Sequence, residues 1–169
     1  MDVRDVLIEL FDRIAEQIRD AVEVLDAEQL TTSPEPGSNT VGWLVWHIAR
    51  GQDAQVADLL DEEQLWTTGD WAARFGLEPD PTNHGYGHST DEMKRVRPDG
   101  PDVLIEYYDA VAARTRTFLE QLTPDDLDRV VDESWDPPVT LGVRLVSIAN
   151  DDIQHAGQAA YVRGMLLRR

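Results

Sequence analysis

Apolar residues recur every three or four positions through four long segments of the chain, and stretches rich in Pro, Gly and Asp separate them. From about Val3 to Leu25 the series Val6, Leu7, Leu10, Phe11, Ile14, Ile18, Val22 and Leu25 marks one face of a helix. Asp12, Glu16, Arg19 and Asp20 fall on the opposite, solvated face. In the second segment, about Val41 to Leu60, the inward stripe is Leu44, His47, Ile48, Gly51, Gln55 and Leu59. A histidine within that stripe faces the bundle interior. The third segment, about Pro101 to Leu122, keeps Val103, Leu104, Tyr107, Tyr108, Val111, Thr115, Phe118 and Leu119 in register. The fourth, about Thr140 to Leu167, is apolar over most of its circumference, which predicts a central helix or one covered by a second subunit.

The breaks between these segments carry their own signals. Ser38, Asn39 or Thr40 can cap the second helix, and Thr123 followed by Pro124 opens a short turn. Asp136-Pro137-Pro138 stops the chain before Thr140 caps the fourth helix. Residues 61–99 lose the helical period and predict a long excursion with one short helix around Asp70 to Phe75. Loops of that length are uncommon unless they build or cover a site. No strand-like alternation, repeat or low-complexity tract is evident. The expected fold is all-α: one domain over residues 1–169, a four-helix bundle with a long loop insertion between helices two and three.

Composition narrows the partners. Hydrophobic residues make up 41% of the 169 positions, enough for a substantial core. A formal net charge of -18 repels phosphate backbones and anionic lipid, so neither a nucleic acid nor a membrane is expected as a partner. No segment is long and apolar enough to span a bilayer. The N-terminal sequence MDVRDVLIELFDRI is amphipathic and acidic, unlike a leader, so a cytoplasmic location is expected. The absence of cysteine removes disulfides, thiolate nucleophiles and Cys-based metal sites together.

Candidate chemistry centres on the fourth helix. Asp151 and His155 are four residues apart and share a face, so a carboxylate and an imidazole can reach one cation. His47 on the facing stripe supplies a third ligand, in the way bundle cores house metals. Three protein ligands leave coordination positions open, as catalytic sites do. Two His and one carboxylate suit Zn, Ni, Fe(II) or Mn without choosing among them. The competing reading is a hydrogen-bonded core histidine and an internal ion pair between Arg144 and Asp151. Asn150, Asp151, Asp152 and Gln154 crowd an otherwise apolar helix, which favours the metal, because buried carboxylates are costly unless paired or metal-bound. His84 and His88 flank Gly85-Tyr86-Gly87, and two glycines deny this His-x-x-x-His pair its helical geometry. Solvated loop residues are the simpler reading of both.

The segments VGWLVWHIARGQD and DDIQHAGQAAYVRG, together with RFGL, GYGHS and WDPPVTLGVRLVS, resemble the DinB-like (damage-inducible) superfamily of metal-binding four-helix bundles. The resemblance spans essentially the whole chain and is nearest the branch of mycothiol-dependent maleylpyruvate isomerases and thiol S-transferases. It implies a metal held by a His of helix two and a His-x-x-x-His pair of helix four. His47 and His155 match that pattern, whereas the first His of the pair is Asp151. His155-Ala-Gly-Gln158 matches the family's H-x-G-Q ending, where the glycine implies close helix approach. The resemblance further implies a small-molecule thiol such as mycothiol, activated by the metal against a small electrophile, with Arg144, Arg74 or His88 holding carboxylate groups of the ligand. It implies a homodimer as well. The alternative is a non-catalytic, stress-related dimeric bundle with a degenerate site.

Overall fold

The computed structural model describes residues 1–168. The four expected long helices form as α1 (Val3–Val22), α3 (Val41–Leu60), α7 (Pro101–Gln121) and α8 (Leu141–Leu166). Each start has a local cause. Asp2 and Asp5 make a reciprocal capping box on α1, Thr40 accepts from the Trp43 N–H to start α3, and Thr140 does the same from Val143 for α8. Pro101 begins α7, where the missing N–H costs nothing.

The helices close into a ring in the order α1, α8, α3, α7, so each packs on two neighbours. The chain therefore crosses the bundle diagonally from α1 to α3 and again from α7 to α8. Leu7, Phe11, Ile14 and Ile18 of α1 meet the apolar faces of α7 and α8 in one continuous core. At the rim, Arg19 pairs with Asp109 and Arg116 with Asp12, which fixes α1 antiparallel to α7.

The connection between α3 and α7 carries three single-turn helices, α4 (Leu65–Thr68), α5 (Trp71–Arg74) and α6 (Thr90–Met93). Only the one near Asp70 is legible in the sequence, since four-residue helices have no period to read. Another single turn, α2 (Ala27–Leu30), precedes α3. A two-stranded antiparallel ribbon, β1 (Val130–Asp132) with β2 (Val139–Thr140), corrects the expectation of no strands. Strands of two and three residues are too short to show alternation.

Of the two readings of the fourth helix, the one that makes it the central helix fails. The central helix is α3, buried nearly all round, because the 61–99 excursion covers the face that the bundle leaves open. Val143, Val146, Ile153 and Tyr161 of α8 instead stand exposed on its outer side. Among the described residues no helix is long and apolar enough to cross a membrane.

Candidate metal centre

Helices α3 and α8 run antiparallel, and their contact brings His47 to Asp151 and His155. His47, Asp151 and His155 each present one donor atom, and the three atoms lie within 4.8 Å of one another. His47 Nε2 is 3.8 Å from Asp151 Oδ2, and the His47 and His155 ring centres are 4.7 Å apart. Metal–ligand bonds of about 2.0–2.2 Å place neighbouring ligands roughly 3–3.5 Å apart, within reach of small side-chain rotations from here.

The hydrogen bonds of both imidazoles leave a ring nitrogen free. His47 Nδ1 donates to the His84 carbonyl, so Nε2 carries the lone pair and faces Asp151. The His155 Nδ1 is 2.9 Å from the Asp151 carbonyl oxygen, one turn back on α8, which leaves its Nε2 unengaged. A hydrogen bond behind the ligand is the usual device for fixing a metal-binding tautomer. Burial pushes the His47 pKa below its ordinary value, outweighing the raising effect of the His84 carbonyl. The nearby His155 lowers it further, and the Asp151 charge pulls it back up. His47 is therefore held as a neutral imidazole, the form that binds metals. The Asp151 side chain keeps 47% of its surface exposed, so one side of the cluster opens to water. The chemistry and convergence of this donor set fit a divalent ion.

The cluster lies midway along the groove between α3 and α8. On one side, a cleft of about 620 Å³ is lined by Leu44, Tyr161, Val162 and Met165 with Ser38, Asn39 and Gln158 at its polar edge. On the other, a cleft of about 550 Å³ is lined by Gly51, Gln55, Asp58, Gln64, His84 and Arg144. Gly157 borders the first cleft, and a Cβ there would meet nothing within 4 Å. Its role is thus not the close helix approach that the H-x-G-Q ending implies; the missing side chain leaves the groove open instead.

Arg144, Arg74, His88 and His84 all find protein partners of their own. Arg144 Nη2 lies 3.0 Å from Asp132 Oδ2 on β1, so its ion-pair partner is Asp132 and not Asp151. Arg144 still borders the second cleft. Arg74 pairs with Glu106 at 2.8 Å. His88 is tied into the protein on both nitrogens. Its Nδ1 accepts from Trp43 Nε1 at 3.2 Å, and its Nε2 donates to Asn83 Oδ1 at 2.8 Å. Burial lowers the His88 pKa. His84 contributes its carbonyl to His47 rather than its ring. Trp43 stacks on His47 at 4.8 Å between ring centres, while Trp46 and Trp66 fill the core beneath.

A second polar cluster lies on α3 one turn further on, and the periodicity of the sequence does not single it out. Arg50 and Asp53 are fully buried and 3.6 Å apart. Asp53 accepts from the Leu65 and Trp66 N–H groups, capping α4 from across the fold, and from the Tyr107 hydroxyl at 2.8 Å. Arg114 approaches the other Asp53 oxygen at 3.4 Å. Arg50 donates to Gln64 Oε1 and to the carbonyls of Pro81 and Asn83, and its guanidinium lies over the Trp66 ring. The usable signal is an Arg and an Asp at i, i+3 in a helix whose first nine residues are apolar apart from His47.

Known proteins resemble the chain along the same lines. The family described as the DinB superfamily matches residues 10–159. A conserved protein from Enterococcus faecalis is 34% identical, with a TM-score of 0.91, and the match covers 100% of this chain and 99% of that one. YfiT from Bacillus subtilis, described as a probable metal-dependent hydrolase with an unusual four-helix bundle topology, has a TM-score of 0.60 at 18% identity. That match covers 97% of this chain and 90% of YfiT. No curated protein matches the chain.

Proposed function

The chain belongs to the DinB superfamily, and on that footing we propose that it is a divalent-metal-dependent enzyme acting on a small electrophile in the α3/α8 groove. The reaction we favour is transfer or isomerisation through a low-molecular-weight thiol of the mycothiol type. One observation carries this reading: His47, Asp151 and His155 bring one donor atom each within 4.8 Å of one another, beside a half-exposed carboxylate.

A divalent ion at that point supplies Lewis acidity, lowering the pKa of a thiol or water molecule that reaches it. The protein's own contribution is distributed along the groove. His47 and His155 offer ring nitrogens, and Asp151 adds a carboxylate where the resemblance implies an imidazole. The Asp151 carboxylate would offset one of the two charges of a divalent ion held there and leave one to favour an anionic sulfur. Having no cysteine, the chain must take its sulfur nucleophile from outside. In an addition of this kind, the thiol would lose its proton and its sulfur would bond to the electrophilic carbon. The electron pair of the π bond broken there would take up a proton from solvent on the open side, so that the thiol adds across the bond with no leaving group. The cleft beside Leu44 and Tyr161 and the cleft beside Arg144 and His84 offer room for the two halves of such a complex.

A second reading, hydrolysis by metal-activated water, is supported by the structural likeness to YfiT. One experiment separates them. The native protein is analysed for bound metal, then incubated with an electrophile with and without added thiol. Thiol-dependent conjugation that stops on chelation supports transfer, whereas thiol-independent product supports hydrolysis. Metal-free protein whose melting temperature ignores added Zn or Ni refutes both and leaves a non-catalytic bundle.

A further inference from the structure

The segment from Pro81 to His88 touches α3 through one face of that helix, residues 43, 46, 47 and 50, and each contact has a defined partner. Trp43 Nε1 donates to His88, His47 Nδ1 donates to the His84 carbonyl, and Arg50 donates to the carbonyls of Pro81 and Asn83. His88 in turn holds the Asn83 side chain, which closes the segment on itself. Between these anchors lies Gly85, with φ of +94°. A Cβ on Gly85 would come to 2.9 Å from His47 Nδ1, 2.9 Å from the Trp46 ring and 3.1 Å from the Trp43 ring. Only a residue without a side chain lets the backbone lie this close to the imidazole.

We infer that residues 81–88 form a strap that sets the tautomer and ring orientation of His47, with Gly85 and Arg50 as its positioning residues. The inference rests on the metal reading for its consequence but not for its geometry. The proton on His47 Nδ1 is fixed by a backbone carbonyl, so the lone pair on Nε2 always points at Asp151. Arg50 does not touch the donor cluster. It holds the two carbonyls flanking the strap's N-terminal half, and Asp53 and Gln64 hold Arg50. The buried ion pair one turn below the metal centre thereby sets the shape of the centre. It also accounts for a fully buried arginine beside a carboxylate, since aliphatic packing could not supply so many donors to one loop.

The test uses the full-length protein with Gly85→Ala, Arg50→Lys and, as control, Gly87→Ala. Gly87 has φ of +75°, and a Cβ added there would meet nothing within 4 Å, so its substitution strains the same loop without approaching His47. Affinity for Zn(II) is measured by competition with a chromophoric chelator. Gly85→Ala is expected to weaken binding on the order of 10–100-fold, the effect seen when partners behind a metal ligand are lost. Arg50→Lys, which keeps the charge but not the fork, is expected to weaken it less, and Gly87→Ala to stay close to wild type. Equal affinity in Gly85→Ala and wild type overturns the inference, as does an equal loss in Gly87→Ala. A second readout needs no metal: nitrogen-15 spectra of the His47 ring should show Nδ1–H in the wild type and mixed tautomers in Gly85→Ala. An Nε2–H wild type would refute the strap. If the wild type binds no Zn(II), the metal reading falls while the ring spectra still decide the strap.

Discussion

Two polar clusters sit one turn apart on α3, and they are built to opposite ends. Around Arg50 and Asp53 the polar groups find partners inside the protein: two backbone N–H groups, two carbonyls, Tyr107, Gln64 and Arg114. Around His47, Asp151 and His155 the donor atoms gather within 4.8 Å of one another, His47 Nε2 stands 3.8 Å from Asp151 Oδ2, beyond hydrogen-bond range, and about half of the Asp151 side chain is in water. The first cluster is closed and holds the excursion to the bundle. The second withholds its lone pairs for something that arrives from the groove. A buried polar group that is fully satisfied reads as architecture, and convergent groups left unsatisfied read as a site.

The largest expected effect comes from breaking the closed cluster. Asp53→Ala leaves the Arg50 charge buried without its counter-charge and the α4 N–H groups without their acceptor, and removing one member of a buried pair costs about 3–5 kcal/mol. Urea unfolding should show that loss, and an unchanged midpoint would mean that the network relaxes into water. His47→Ala and His155→Ala attack the open cluster, and should abolish tight Zn or Ni binding while lowering the metal-free melting temperature far less than Asp53→Ala. Asp151→His, which restores the His-x-x-x-His pattern, should tighten Zn and Ni binding, measured by the same chelator competition.

Asp152 sharpens the comparison, because it belongs to neither cluster. It is buried at 1% exposure with Oδ2 unpaired, and burial, assisted by the charge of Asp151, raises its carboxyl pKa well above the usual range. The native state therefore keeps a proton that the unfolded chain releases above its ordinary pKa of 3.8. This contribution to stability is complete below that pH and declines as pH rises through the native value. Asp152→Asn should flatten the fall in melting temperature between acidic and neutral pH. A wild-type profile with no such fall would contradict a protonated Asp152. The smallest effect is expected of Arg144→Ala, which breaks a partly exposed pair with Asp132 worth about 0–1 kcal/mol in thermal unfolding.

The four long helices are legible in the sequence because each carries a periodic stripe and a capping residue, and those are local properties of consecutive residues. His47, Asp151 and His155 are legible for a related reason. Asp151 and His155 share one helical face, and His47 interrupts an apolar stripe, so their meeting requires only that two such faces pack together. Membership of the DinB superfamily can likewise be read from the motifs around them. Arg50 and Asp53 cannot be placed in this way, because their partners come from residues 64–66, 81–83, 107 and 114. Nothing local announces that a charged pair will be closed over by a segment with no period of its own. The same holds for Gly85, whose importance lies in how near His47 stands, and for α3 displacing α8 as the buried helix. The sequence alone determined which long helices form and which side chains could bind a metal. Tertiary structure decided which polar groups are sealed and which stay open, because satisfaction of a buried group depends on atoms that long-range packing brings to it.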